Sequence, residues 1–146
     1  MAQTEQAAPP AEYYPSADSW VEEGGKIFLI GSRCPKCGKH AFPRRTFCDA
    51  CGTSGGLEPV RLSNTGTLYT FSEVHVAPKM FPTPYVIGYV DLPENVRVLG
   101  QVEHPAAELR PGESVEVVLG VIRKSESGQP VISYKFRKHA GGTRNG

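Results

Sequence analysis

The sequence is short of most of what membrane insertion, nucleic-acid binding or self-contained catalysis requires. No apolar run approaches the roughly 20 residues that span a bilayer, so no segment reads as a membrane helix. Residues 1–15 lack a basic stretch followed by an apolar one, so they do not read as a secretory signal, and the chain is expected to be cytoplasmic. Neither sign of charge is in excess. Sixteen Lys and Arg against 15 Asp and Glu leave a formal net charge of +1, which argues against a dedicated nucleic-acid binder. The four histidines, His40, His75, His104 and His139, are scattered, without the spacing of a second metal site. No Ser–His–Asp arrangement, phosphate-cradling glycine loop or paired-carboxylate motif is legible.

Cysteine is also scarce, and its placement is informative. All four cysteines fall between positions 34 and 51, as Cys34-Pro35-Lys36-Cys37-Gly38 and Cys48-Asp49-Ala50-Cys51-Gly52. In a reducing compartment, paired C-x-x-C elements point to metal rather than to disulfides. Each C-x-x-C-G turn presents two sulfurs to one side of an ion, and its glycine lets the backbone curl. Two such turns complete a tetrahedral shell with no open position, the pattern of structural zinc. Iron in a rubredoxin-like centre is the competing reading; a redox dithiol needs only one such pair. Arg33, Lys36, Lys39, Arg44 and Arg45 surround the cysteines, against Asp49. They offset the charge of about −2 on a zinc tetrathiolate, or alternatively meet a phosphate.

What the sequence has in plenty is Gly (16) and Pro (13), with 39% hydrophobic residues. That favours a turn-rich β protein. Residues 1–15 are expected to be unstructured. Ser19-Trp20-Val21-Glu22 fits a capping box with Gly24-Gly25 as the stop, predicting a short helix over 16–23. A strand over 26–33 leads into the cysteines, and 40–47 reads as a short strand and turn. Beyond residue 57 come five strands, over 67–77, 85–92, 97–104, 114–123 and 130–136, joined by turns. Alternation places Leu68, Thr70, Ser72, Val74 and Val76 on one face of the first, and Tyr69, Phe71, Glu73 and His75 on the other. Tyr69, Phe71 and Tyr85 are candidates for base stacking or for packing. The count and spacing fit a five-stranded barrel of the OB type. The chain thus divides into an unstructured segment 1–15, a short helix and zinc ribbon 16–56, an OB barrel 57–138 and a flexible tail 139–146.

The order of features carries a resemblance. Trp20 precedes Gly25-Lys26-Ile27 and a C-x-x-C. Phe42-Pro43-Arg44 and a second C-x-x-C follow, then Thr65-Gly66-Thr67-Leu68-Tyr69-Thr70, Pro84-Tyr85-Val86-Ile87-Gly88-Tyr89-Val90-Asp91-Leu92 and Pro111-Gly112. Over about Trp20 to Phe136 the chain resembles the small acyl-CoA-associated proteins that join a rubredoxin-like zinc ribbon to an OB-fold. The resemblance implies structural zinc on Cys34, Cys37, Cys48 and Cys51, no catalytic residues of its own, and a thiolase-like catalytic subunit as partner in a hetero-oligomer. The type it leans toward is the small subunit of (S)-2-benzoylsuccinyl-CoA thiolase in anaerobic toluene degradation, with CoA or acyl-CoA bound by the complex. Trp20, Phe42, Met80 and Phe81 look exposed, and the loop from Lys79 to Pro84 is stiffened by prolines. With Arg44 and Arg45 these are the candidates for partner or CoA contact. Two other readings stay open: a nucleic-acid-binding ribbon and barrel module, and a free-standing acyl-CoA-binding protein with Arg44 or Arg45 on the coenzyme phosphates.

Overall fold

The computed structural model describes residues 12–139. The unstructured segment expected over 1–15 therefore lies outside the described residues for 1–11, as does the expected tail for 140–146. Ten strands run in order: β1 Glu12–Tyr13, β2 Trp20–Glu23, β3 Lys26–Arg33, β4 His40–Ala41, β5 Glu58–Arg61, β6 Thr65–Val74, β7 Tyr85–Leu92, β8 Val96–Val102, β9 Ser114–Lys124 and β10 Pro130–Lys138. The only helical residues described are single 3-10 turns at Ala17–Ser19 and Ala106–Glu108.

The short helix expected over 16–23 does not form. Trp20–Glu23 pair with Lys26–Leu29 as an antiparallel hairpin, Glu23 opposite Lys26. Gly24 and Gly25 have φ of 62° and 80°. Two consecutive residues of positive φ make the hairpin turn that matches strand twist, so the glycines that read as a helix stop are a turn instead. Four residues cannot sustain a helix against a ladder with β3. Glu12 and Tyr13, expected within the unstructured segment, run parallel to β10 opposite Val131 and Ile132.

β6 to β10 close a barrel. β6 pairs with β7, β7 with β8, β8 with β10, β10 with β9, and β9 with β6; only β8–β10 is parallel. This is the expected five-stranded OB barrel. Strand β7 shows why the chain folds so: Val86, Val90 and Leu92 are buried between half-buried or exposed Tyr85, Ile87, Tyr89 and Asp91, the period-2 pattern of a strand with one face on a core. The alternation expected for β6 holds only as far as Leu68. Leu68 pairs with Val90 and Thr70 with Tyr89, so Tyr69 is an extra, bulged residue. The bulge exchanges the faces beyond it. Phe71 packs against the core, and Val76, expected with Leu68, is 91% exposed.

The ribbon is the smaller sheet, β2 to β5 around β3. It is not independent of the barrel. Ile27, Leu29, Phe42 and Leu62 belong to the same buried cluster as Leu68, Val90, Val117 and Phe136. Asn64, between β5 and β6, is 7% exposed. Its amide donates to the carbonyls of Ile27 in the ribbon (2.8 Å) and Val117 in the barrel (3.1 Å). β3 also approaches β4 closely at Gly31, where a Cβ would collide with the carbonyl of Ala41.

Candidate metal centre and the adjoining aromatic groove

β3 delivers Cys34 directly after Arg33, and the two knuckles then repeat one geometry. The Cys34 N–H donates to the Lys39 carbonyl (2.9 Å) and the Gly38 N–H to the Cys34 carbonyl (2.9 Å). In the second, Cys48 N–H donates to Thr53 and Gly52 N–H to Cys48, both at 2.8 Å. Gly38 and Gly52 both have φ of 80°, where a side chain is strained. Each knuckle contributes one buried sulfur, Cys34 or Cys48, and one from an exposed residue, Cys37 or Cys51.

The donor set fits zinc. Bonds of about 2.3 Å to four tetrahedral sulfurs require sulfur–sulfur edges of about 3.8 Å. The sulfurs lie within 4.8 Å of one another, with Cys34–Cys51 at 3.7 Å and Cys37–Cys48 at 3.5 Å. Electrostatics prepares the shell. The backbone N–H of Cys37, aided by that of Lys36, holds the Cys34 thiol down to about 6. The hydroxyl of Thr53 and then its N–H lower Cys51. At Cys37 the N–H of Lys39 pulls downward, but the Cys48 sulfur, burial, and the Cys51 and Cys34 sulfurs outweigh it and push the thiol up to about 11. Four crowded sulfurs cannot all ionise without a cation among them. When bound, zinc supplies that charge and ties the knuckles together, and the full shell leaves no position for a substrate.

The basic residues around the centre are largely matched. Lys39 bonds Asp49 (2.9 Å), linking the two knuckles; Arg44 bonds Asp18 (3.0 Å) and Arg33 lies 3.5 Å from Glu58. Among the described residues Lys36 and Arg45 have no ion-pair partner.

Beside the ribbon, on the outer side of β7 and β8, lies an open groove of about 630 Å³. Phe42 of the ribbon, Phe81 of the 79–84 loop, and Tyr85, Tyr89, Leu99 and Tyr134 of the barrel give it an aromatic lining. Phe81 stacks on Tyr85 with centroids 5.8 Å apart. Phe42 meets Tyr134 edge-on at 5.4 Å. The Tyr134 hydroxyl donates to the Leu99 carbonyl (2.8 Å), and burial pushes the phenol up to about 12. Cations flank the groove. Arg123 lies 5.8 Å from the Phe81 centroid. Arg97 donates to both carboxylate oxygens of Asp91, at 2.6 and 3.0 Å.

Of the residues singled out from the sequence, the structure brings Phe42, Phe81 and Tyr85 together at this groove. Against the expectation of exposure, Phe42 is 9% exposed, because it packs into the core that ribbon and barrel share, and Met80 and Phe81 are half-buried. Trp20 is half-buried against that core, 6.1 Å from Tyr13. The Met80 carbonyl accepts from Lys124 N–H (3.1 Å), which fastens the loop to β9, while Lys79 is exposed. Arg44 and Arg45 stand outside the groove, beside Pro43 and the exposed Phe47. Sequence reasoning missed Tyr89, Leu99, Tyr134, Arg97 and Arg123; Tyr89 and Leu99 were legible only as outward positions of alternating strands. His75 pairs with Glu73 at the surface (3.2 Å) and His104 accepts from Lys138 N–H (3.1 Å). No helix among the described residues is long and apolar enough to cross a membrane.

Residues 29–58 match the ChsH2 rubredoxin-like zinc ribbon domain, and residues 59–120 the ChsH2 C-terminal OB-fold domain. The chain is similar to the benzoylsuccinyl-CoA thiolase subunit BbsA of Thauera aromatica, at 39% identity over 86% of this chain and 87% of that protein. It is 41% identical to BbsA of Geobacter metallireducens, over 88% and 86% respectively. A DUF35 domain-containing scaffold protein of Methanocaldococcus jannaschii is 38% identical over 82% of this chain and 87% of its own length. Among solved structures, a chain of the Ltp2-ChsH2(DUF35) aldolase shares the fold, with a TM-score of 0.60 at 23% identity over 76% of this chain and 84% of that one. The chain belongs to the family that joins a ChsH2-type rubredoxin-like zinc ribbon to an OB-fold.

Proposed function

We propose that this chain is a non-catalytic, zinc-holding accessory subunit of a thiolase-type acyl-CoA acyltransferase complex. One observation carries the reading: two BbsA thiolase subunits match nearly the whole chain at about two residues in five. The site geometry is compatible with it. The metal shell is full, so the zinc serves folding and not substrate activation. The partner supplies the nucleophilic cysteine and acid–base groups for acyl transfer to coenzyme A. This chain braces the partner and contributes the groove wall built from Phe42 and Phe81 to its acyl pocket, with Trp20, Lys79 and Met80 around that wall. Arg44 and Arg45 are the candidates for coenzyme phosphates. An aryl-bearing acyl group, as in (S)-2-benzoylsuccinyl-CoA, suits a lining of six aromatic rings.

The test is thiolysis measured with the catalytic subunit alone and after adding this chain. The expected result is activity that requires both, with no turnover by this chain alone. Full activity of the catalytic subunit without it would sink the proposal. Calorimetry of the isolated chain with CoA separates an accessory role from free-standing acyl-CoA binding: micromolar binding without the partner favours the latter.

A further inference from the structure

Across the outside of the barrel, β6, β7 and β8 carry an unpartnered apolar stripe. Tyr69, Tyr89 and Leu99 are 52%, 43% and 45% exposed. Tyr89 sits opposite Leu99 on one side and opposite Thr70, next to the bulged Tyr69, on the other. The stripe is held at its Tyr69 end. The Arg97 guanidinium lies 3.6 Å from the Tyr69 ring centroid and is fixed by its two bonds to Asp91. Side chains already immobilised lose little entropy on docking. Exposed aromatics beside an arginine are also the composition of interface anchors.

Charge selects the occupant. Single-stranded nucleic acid stacks on such rings only where uncompensated cations meet its phosphates. Here Asp91 already neutralises Arg97. Farther along the same chain segment Glu73, an anion, lies 3.2 Å from His75. One further cation, Arg123 on the bordering groove, offers a phosphate backbone a single contact, far short of the run of cations that nucleic acid needs. An uncharged protein surface covers it cheaply, because the one ion pair is already made and half-exposed at the margin. The stripe also borders the groove, since Tyr89, Arg97 and Leu99 line both.

We infer that the Tyr69–Tyr89–Leu99 stripe is the docking face for the thiolase-type catalytic subunit, received by an uncharged aliphatic or aromatic patch of that partner along the open side of the groove. This rests on the accessory-subunit reading above and names the surface it uses.

The test uses the thiolase-type subunit that co-elutes with the chain from its native cells, purified and titrated with wild-type chain and variants. Tyr89→Glu and Leu99→Lys should each weaken binding by about 30-fold or more. Phe47→Ser, at an exposed aromatic on the ribbon tip, should bind as wild type. Zinc content and melting temperature establish that each variant is folded. Hydroxyl-radical footprinting of the wild-type complex, which needs no variant, should show Tyr69 and Tyr89 protected. Wild-type binding with unaffected stripe variants and unprotected tyrosines overturns the inference and leaves the accessory reading standing. Absence of any thiolase-type subunit in the eluate overturns both. Salt-dependent binding of a single-stranded oligonucleotide that Tyr89→Glu abolishes overturns the inference in favour of a nucleic-acid surface.

Discussion

At the scale of single residues, the four cysteines and one ion pair carry distinct consequences. Cys48 is buried in the shell; Cys48→Ser removes a thiolate ligand and should drop bound zinc well below one per chain by metal analysis, because three sulfurs hold zinc far less well than four. The same variant should lower the melting temperature, and a Cys48→Ser chain with full zinc and an unchanged melt would remove the structural assignment. Asp91 behaves differently. The hydrogen bonds from Arg97 hold its carboxyl below the usual range. A depressed carboxyl contributes stability above its unfolded value near pH 4 and loses it as pH falls through the lower folded value. Asp91→Asn should therefore cost about 0.5–1 kcal/mol at neutral pH, since the pair is half-exposed. Denaturant titrations at falling pH should show that cost shrinking toward zero. A difference that stays constant to strongly acid pH would mean the ion pair is not its source.

At the scale of elements, the join between ribbon and barrel is where stability concentrates. Phe42 belongs to the ribbon but is buried in the shared core, edge-on to Tyr134. Phe42→Ala should cost about 3–5 kcal/mol, measured by denaturant unfolding, and should loosen both units together. An unfolding curve with the barrel unaffected would separate them. The clustering of the four cysteines was legible in the sequence, because C-x-x-C-G encodes both candidate ligands and turn in five consecutive residues. So were β3, β7 and β9, whose starts, and for β3 and β7 whose ends, were expected as observed. What was misread depended on contacts distant in sequence. The 16–23 segment has local helix signals, yet β3 supplies a ladder that a positive-φ glycine pair allows. The bulge at Tyr69 leaves no local mark, and it alone moves Phe71 to the core. The groove was invisible because its walls come from the ribbon, a loop and four barrel strands.

At the scale of the whole molecule, a small ribbon borrows from a barrel and from a metal. Zinc binding in ribbon-sized units is worth about 10–16 kcal/mol, comparable with the whole stability of a domain. A strong chelator should therefore loosen the ribbon and, through the core it shares with the barrel, the barrel as well, with amide protection lost from β2 to β4 and from β6 to β10 together in hydrogen exchange. Full protection kept in β6 to β10 would mean that the two units unfold separately. Zinc loading also turns the formal charge of +1 into about −1, which further disfavours polyanionic partners. These properties are compatible with the proposed accessory role.

The measurement that bears most directly on that claim is native mass spectrometry of the tagged chain isolated gently from its own cells. The account predicts a hetero-oligomer containing a thiolase-type subunit, with about one zinc for each copy of this chain. A chain recovered alone, or with nucleic acid, would contradict it.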